Sequence, residues 1–198
     1  GYENLRAVAR AAAERGVEYI SAFVFSTENW DRSQEEVDYL LRLLVTEVLV
    51  PAEIENYVRD DIRLLFVGSR MRLEPRLVRS LEAAEASTAG GKRLVMALCF
   101  NYGGQLELAE AAAAMAADKL PAAEYSVEKM SEYLYHPEIP ALDLIIRTSG
   151  EQRLSGFMLW RAAYAELYFT DVPWPAFSRD DLDPALADYA SRQRRFGK

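Results

Sequence analysis

Four short and nearly unbroken apolar runs decide what this chain can fold into. They are residues 17–25 (VEYISAFVF), 62–67, 94–100 and 142–146. Strands covered on both faces have no room for a polar side, so such runs belong to parallel sheets flanked by helices. Helical spacing fills the intervals. Leu5, Val8 and Ala12 recur through residues 4–15, and Gly16 closes that helix. Further helices are expected at 73–86, from Gln105 to about Lys119, at 126–135 and at 180–194, the last with Ser178 as N-cap. A fifth strand surrounds Glu166. Strand and helix alternate throughout, so the expectation is one α/β domain over residues 1–198, a mostly parallel sheet with helices on both faces.

The helix expected from about Gln34 carries more than fold. Val37, Leu40, Leu41, Leu44, Val45 and Val48 form one wide apolar stripe, while Tyr39, Leu43 and Val50 fall on a second side. A helix apolar on two sides is either sandwiched in a core or lines an apolar cavity. The residues alone favour the sandwiched reading. Pro51 should then kink or end it.

Charge narrows the function classes. With 23 Lys and Arg against 31 Asp and Glu, the net charge is −8, and no basic stripe is available to neutralise nucleic-acid phosphates. Arginines clustered in an acidic chain read instead as a local anion site. The single cysteine, Cys99, lies in an apolar run, so a disulfide framework is excluded and a reducing cytoplasm fits.

The polar segments after three of the strands carry the chemistry. Residues 143–155 (DLIIRTSGEQRLS) place Arg147, Gly150, Arg153 and Ser155 at the carboxyl end of a strand. Two guanidinium forks, a hydroxyl and a glycine that lets backbone amides approach suit a phosphate or diphosphate. Glu166 lies in the apolar run 163–169, where a carboxylate needs a partner, and a divalent ion shared with a diphosphate would be one. The plainer alternative is a surface loop with ordinary ion pairs and an edge-strand glutamate. Residues 26–32 (STENWDR) and 101–104 (NYGG) follow two other strands. In a parallel sheet these three loops share one edge, where α/β proteins bind ligands. Ser26 and Asn29 can hydrogen-bond a substrate, Arg32 can reach a second diphosphate, and Trp30 can cover an apolar tail. The plainer alternative here has Ser33 capping the following helix and Trp30 packing on the core. His136, in a proline-bounded connection, reads as a solvated loop residue, and Trp174 as packing or interface.

Together, residues 25–32, 101–104, 147–153, 164–169 and the terminal 194–197 (RRFG) resemble the cis-prenyltransferase family, in order and over essentially the whole chain. The resemblance implies a six-stranded parallel α/β sheet, a homodimer and Mg²⁺ dependence. It also implies an isoprenoid-forming activity: Z-configured condensation of isopentenyl diphosphate onto an allylic diphosphate such as farnesyl diphosphate. On it, Arg147, Arg153, Leu154 and Ser155 correspond to the isopentenyl diphosphate site and Glu166 to a magnesium ligand. Ser26, Thr27, Glu28, Trp30 and Arg32 correspond to a mobile substrate loop, and Asn29 to the residue that takes up the proton. Leu40, Leu43 and Val48 would line the tunnel for the growing chain, which turns the balance toward the cavity reading of that helix. A lipid product makes peripheral membrane contact plausible.

The family also has an N-terminal strand and an Asp-Gly-Asn-x-x-Arg loop that carries its main magnesium ligand. Both would precede Gly1, so the expectation is a longer protein of which this chain holds half the metal site. Gln152, Gly156 and Ala176 depart from the residues common in the family. The competing function is a non-catalytic relative that binds a partner subunit or a polyprenyl lipid. A generic nucleotide-binding enzyme ranks last, since neither a GxGxxG nor a P-loop is present.

Overall fold

A computed structural model describes residues 2–193, and they fall into two compact units. All strand pairings in both are parallel, so the α/β class expected from the apolar runs is observed. The first unit spans Glu18–Ile139. Its sheet has the order β1-β3-β2, with β1 at Tyr19–Ser26, β2 at Ile62–Val67 and β3 at Leu94–Tyr102. The central strand β3 buries nearly every side chain, Cys99 included. Helices α3 (Pro51–Arg59) and α4 (Pro75–Thr88) pack on β2 and on each other. Proline opens both, where its missing N–H costs nothing.

Before them, α2 (Gln34–Leu43) starts at Ser33, whose hydroxyl accepts from the Glu36 N–H at 3.3 Å. The expected single helix does not run straight on. A π-turn occupies Leu44–Val48. Its wider turn shifts the phase of every later residue. Val37, Leu44 and Val48 are buried, while Val45, placed on the same stripe by regular spacing, is exposed. Helix α5 (Gly104–Ala117) follows β3, and α6 covers only Val127–Glu132 of the expected 126–135.

The second unit joins residues 1–17 to residues 140–198. Helix α1 (Tyr2–Glu14) packs on α7 (Arg179–Ser191). Gly16 ends α1 with a left-handed φ of +78°. Ser178 caps α7, its hydroxyl accepting from the Asp180 N–H at 3.2 Å. Strands β4 (Leu144–Arg147) and β5 (Glu166–Phe169) form a two-stranded parallel sheet. The described residues thus hold five strands, in sheets of three and two.

His136 is not the solvated residue its sequence context suggests. Its imidazole lies 3.4 Å from Glu85 and 3.4 Å from Glu138, with only 21% of the side chain exposed. Arg63 pairs with Glu138 and Arg70 faces Glu85, whose carboxylate also accepts from the Phe66 N–H. Burial alone would push the imidazole down, but the two carboxylates outweigh it and hold it above its ordinary value of 6.5. A raised folded value means the stabilisation is complete below the unfolded value and fades as pH rises through the folded one. Replacing His136 by Gln should therefore cost on the order of 1 kcal/mol near pH 6 and less at an alkaline pH. Urea denaturation at the two pH values measures it. An equal cost at both would show that the imidazole acts by packing.

Candidate functional site

In the first unit, parallel pairing of β1 with β3 sets Ser26 opposite Tyr102, so the segments leaving these two strands start side by side. Residues Thr27–Asp31 form a 3-10 turn. The Asn29 side-chain oxygen accepts from the Ser26 N–H at 2.8 Å and closes that turn. Thr27 lies against Gly103, where an added Cβ would stand 2.5 Å from its hydroxyl. Trp30 stacks edge-on against the buried ring of Phe25, with centroids 5.3 Å apart. Its indole N–H donates to the Asn101 side-chain oxygen at 2.7 Å, and the Arg72 guanidinium lies 4.7 Å above its ring. Both features of the plainer reading, Ser33 as cap and Trp30 on the core, are therefore present in this loop. Glu28 and Arg32 are exposed. On the following helix Leu40 and Leu43 are half-buried, whereas Val48 is core.

In the second unit, Arg147 is the last residue of β4, and the loop that follows takes positive φ at Ser149, Gly150 and Ser155. Amides of Ser149 and Gly150 donate to the Val172 and Thr170 carbonyls at 3.0 Å. The Nε of Arg147 is buried and has no hydrogen-bond partner. Such a donor costs about 1–3 kcal/mol until an acceptor arrives. Arg153 is open by contrast, 65% exposed and paired with Glu151 in the same loop. Ser155 is exposed and Leu154 half-buried.

Glu166 and Arg147 do not sit together on this sheet. The register pairs Leu144 with Glu166 and Arg147 with Phe169. The two residues are three steps apart along the strands, roughly 10 Å, and the odd offset puts them on opposite faces. The partner of Glu166 is Arg192, at 2.7 Å, which also binds Asp188 and the Leu167 carbonyl. Within this unit Arg147 and Glu166 therefore stand apart, and the partner that the carboxylate called for is Arg192. The terminal motif at residues 194–197 lies outside the described residues.

A buried polar network escaped the sequence reading. Tyr102 donates to Glu107 at 2.6 Å, and Ser69 and Tyr135 both donate to Glu110, at 2.8 and 2.7 Å. Burial and the Glu110 carboxylate push the Tyr135 phenol up, so it stays a donor. The only hint in the sequence was two carboxylates three residues apart in an alanine-rich helix.

Comparison with known proteins places this geometry in context. The Prenyltransf family model, described as undecaprenyl diphosphate synthase, matches residues 1–197. A (2E,6E)-farnesyl-diphosphate-specific ditrans,polycis-undecaprenyl-diphosphate synthase from Pseudomonas syringae pv. tomato is 43% identical over all of this chain and 80% of its own length. Isoprenyl transferase 1 of Streptomyces coelicolor is 41% identical over all of this chain and 72% of its own. Among solved structures, one described as a probable undecaprenyl diphosphate synthase from Campylobacter jejuni superposes with a TM-score of 0.89 at 29% identity, covering 100% of this chain and 91% of that one. Lavandulyl diphosphate synthase from Lavandula x intermedia, in complex with dimethylallyl diphosphate, gives 0.90 at 31% identity, covering 99% and 86%.

Proposed function

The chain belongs to the undecaprenyl diphosphate synthase family of prenyltransferases, and we propose that it condenses isopentenyl diphosphate with an allylic diphosphate to build a Z-configured polyprenyl diphosphate. In each cycle the double bond of isopentenyl diphosphate attacks the first carbon of the allylic substrate. A carbon–carbon bond forms, the allylic carbon–oxygen bond breaks, diphosphate leaves with the electron pair, and a proton is lost from the added unit.

The observation that carries the site is the unpartnered Nε of Arg147 at the mouth of the 148–155 loop. A phosphate oxygen there completes a donor that the protein itself leaves unmet. Arg153 and Ser155 add a second fork and a hydroxyl, with Leu154 between them, and fix the isopentenyl diphosphate. In the other unit Ser26, Thr27, Glu28 and Arg32 bind the second substrate and Trp30 shields its tail. Asn29 uses one carbonyl lone pair on Ser26 and has another with which to take up the proton. Half-buried Leu40 and Leu43, with Val48 beneath, form the apolar wall along which the product grows.

Glu166 fits a magnesium ion only as one ligand among several. No group of three Asp, Glu, His or Cys side chains that could hold an ion occurs among the described residues. Mg²⁺ commonly takes one or two carboxylates and completes its shell with water and substrate phosphate. When bound it would neutralise charge on the departing diphosphate. Mg²⁺ alone should therefore leave the melting temperature of this chain unchanged, while Mg²⁺ with inorganic diphosphate raises it. A rise with the metal alone would mean a complete protein cage.

A cytoplasmic homodimer is the assembly this reading favours. No helix of the described residues is long and apolar enough to cross a membrane, and Cys99 is buried. Contact with a membrane would be peripheral, at product release. The test of the function is incorporation of labelled isopentenyl diphosphate into a lipid by the wild type and Arg153→Ala. Loss of one exposed fork should raise the KM for isopentenyl diphosphate about tenfold or more. Unchanged kinetics would remove Arg153 from the site, and no incorporation by the wild type would favour a non-catalytic lipid- or partner-binding role.

A further inference from the structure

Asn101 stands next to the last residue of β3, and its whole side chain is committed. We infer that Asn101 is a positioning residue, a joint that sets this arrangement of the 26–32 loop by tying Trp30 to the turn after β2. The side chain has one acceptor and two donors to offer. Its oxygen accepts the Trp30 indole N–H at 2.7 Å, and its amide group donates to the Ser69 and Met71 carbonyls at 2.7 and 2.8 Å. The residue is 2% exposed. Its backbone φ is +51°, a left-handed conformation that asparagine tolerates better than most side chains.

Three segments therefore meet on one amide: the end of β3, the turn at residues 69–71, and the 3-10 turn that carries Trp30. The joint is anchored behind and in front. Behind, the Ser69 amide donates to the Asn101 carbonyl at 3.1 Å, and the Ser69 hydroxyl is held by Glu110. In front, the indole is gripped between Phe25 and the Arg72 guanidinium, so the turn after β2 holds Trp30 twice, through Asn101 and through Arg72. A loop held at its tryptophan presents Asn29, one residue before it, and Arg32, two residues after it, in this arrangement. No other side chain of similar size supplies this set. Aspartate keeps the acceptor for Trp30 but sets carboxylate oxygens against two carbonyls. Glycine suits the backbone and removes all three bonds.

Those two replacements make the test, because both suit the left-handed backbone and so separate the joint from folding. Amide hydrogen exchange in Asn101→Gly should rise about tenfold or more in residues 27–33 and 69–73 while the amides of β2 and the rest of β3 keep their protection. Asn101→Asp should loosen 69–73 more than 27–33. Trp30→Phe, which keeps the ring but lacks the N–H, should loosen 69–73 from the opposite side. The kinetic part rests on the prenyl-transfer reading. Asn101→Gly should raise the KM for the allylic diphosphate about five- to tenfold with a smaller change in kcat, the signature of a displaced binding loop. Unchanged exchange in both loops, or a rise spread evenly over the whole chain, would overturn the joint. Localised exchange with an unaltered KM would overturn its part in substrate binding. The exchange results hold even if the chain transfers no prenyl group, so the two ideas fail separately.

Discussion

Gly68→Ala is expected to destabilise the protein by about 3–5 kcal/mol, the large end of what one methyl group can do. Gly68 follows β2 directly with φ at +152°, in a region that side chains rarely enter. A Cβ there would stand 2.0 Å from the Phe100 carbonyl oxygen and 2.9 Å from that of Asn101. Those atoms are backbone of the central strand, and both residues are almost wholly buried, so nothing can rotate aside. Relief requires β2 and β3 to part where the Ser69 amide bonds to Asn101. Two other glycines calibrate the effect. Gly90 has open space around its Cβ position and an ordinary φ, so Gly90→Ala should be neutral. Gly16 has equal space but φ at +78°, so Gly16→Ala should cost about 1 kcal/mol, the conformational part alone. Urea midpoints of the three variants give the series. A Gly68→Ala variant within 1 kcal/mol of wild type would mean that the close approach of these strands is not a constraint.

How much of this was legible beforehand follows from the range of the interactions involved. Residues 62–67 were read as a strand with both ends correct, because a short apolar run between polar breaks is a local signal. Ser33 and Ser178 were legible as caps for the same reason: the hydroxyl and the amide it serves are two or three residues apart. The π-turn at 44–48 was not, since apolar periodicity assumes a constant turn and cannot report the residue at which the turn widens. The partners of isolated polar residues were least legible. Nothing around Glu166 names Arg192, 26 positions away, and nothing in a proline-bounded connection says that His136 meets Glu85 on a helix. For the same reason the motif at 101–104 was visible as a motif while the work of the Asn101 amide was not. Its acceptor and donors reach back 71 and about 30 positions.

Arg147→Ala should lower kcat/KM for isopentenyl diphosphate by about 10²–10³-fold, the range found when a preorganised donor to developing or bound negative charge is removed. What distinguishes this from an ordinary structural loss is the direction of the stability change. Most half-buried arginines are held by partners, and deleting them costs stability. Arg147 instead ends β4 with its Nε buried and unmatched, so truncation removes an unsatisfied donor along with the apolar stem. The two effects oppose, and the free protein should keep its stability to within about 1 kcal/mol. Arg147→Lys should recover little of the activity, because an ammonium restores the charge but offers no Nε–H in the plane of a fork. Inorganic diphosphate adds a reading independent of turnover: it should raise the melting temperature of the wild type and fail to raise that of Arg147→Ala at equal concentration. The contrary pattern, a variant that melts several degrees lower yet binds diphosphate and isopentenyl diphosphate as the wild type does, would make Arg147 a strut of the β4–β5 sheet. The anion site would then have to be sought elsewhere in the 148–155 loop.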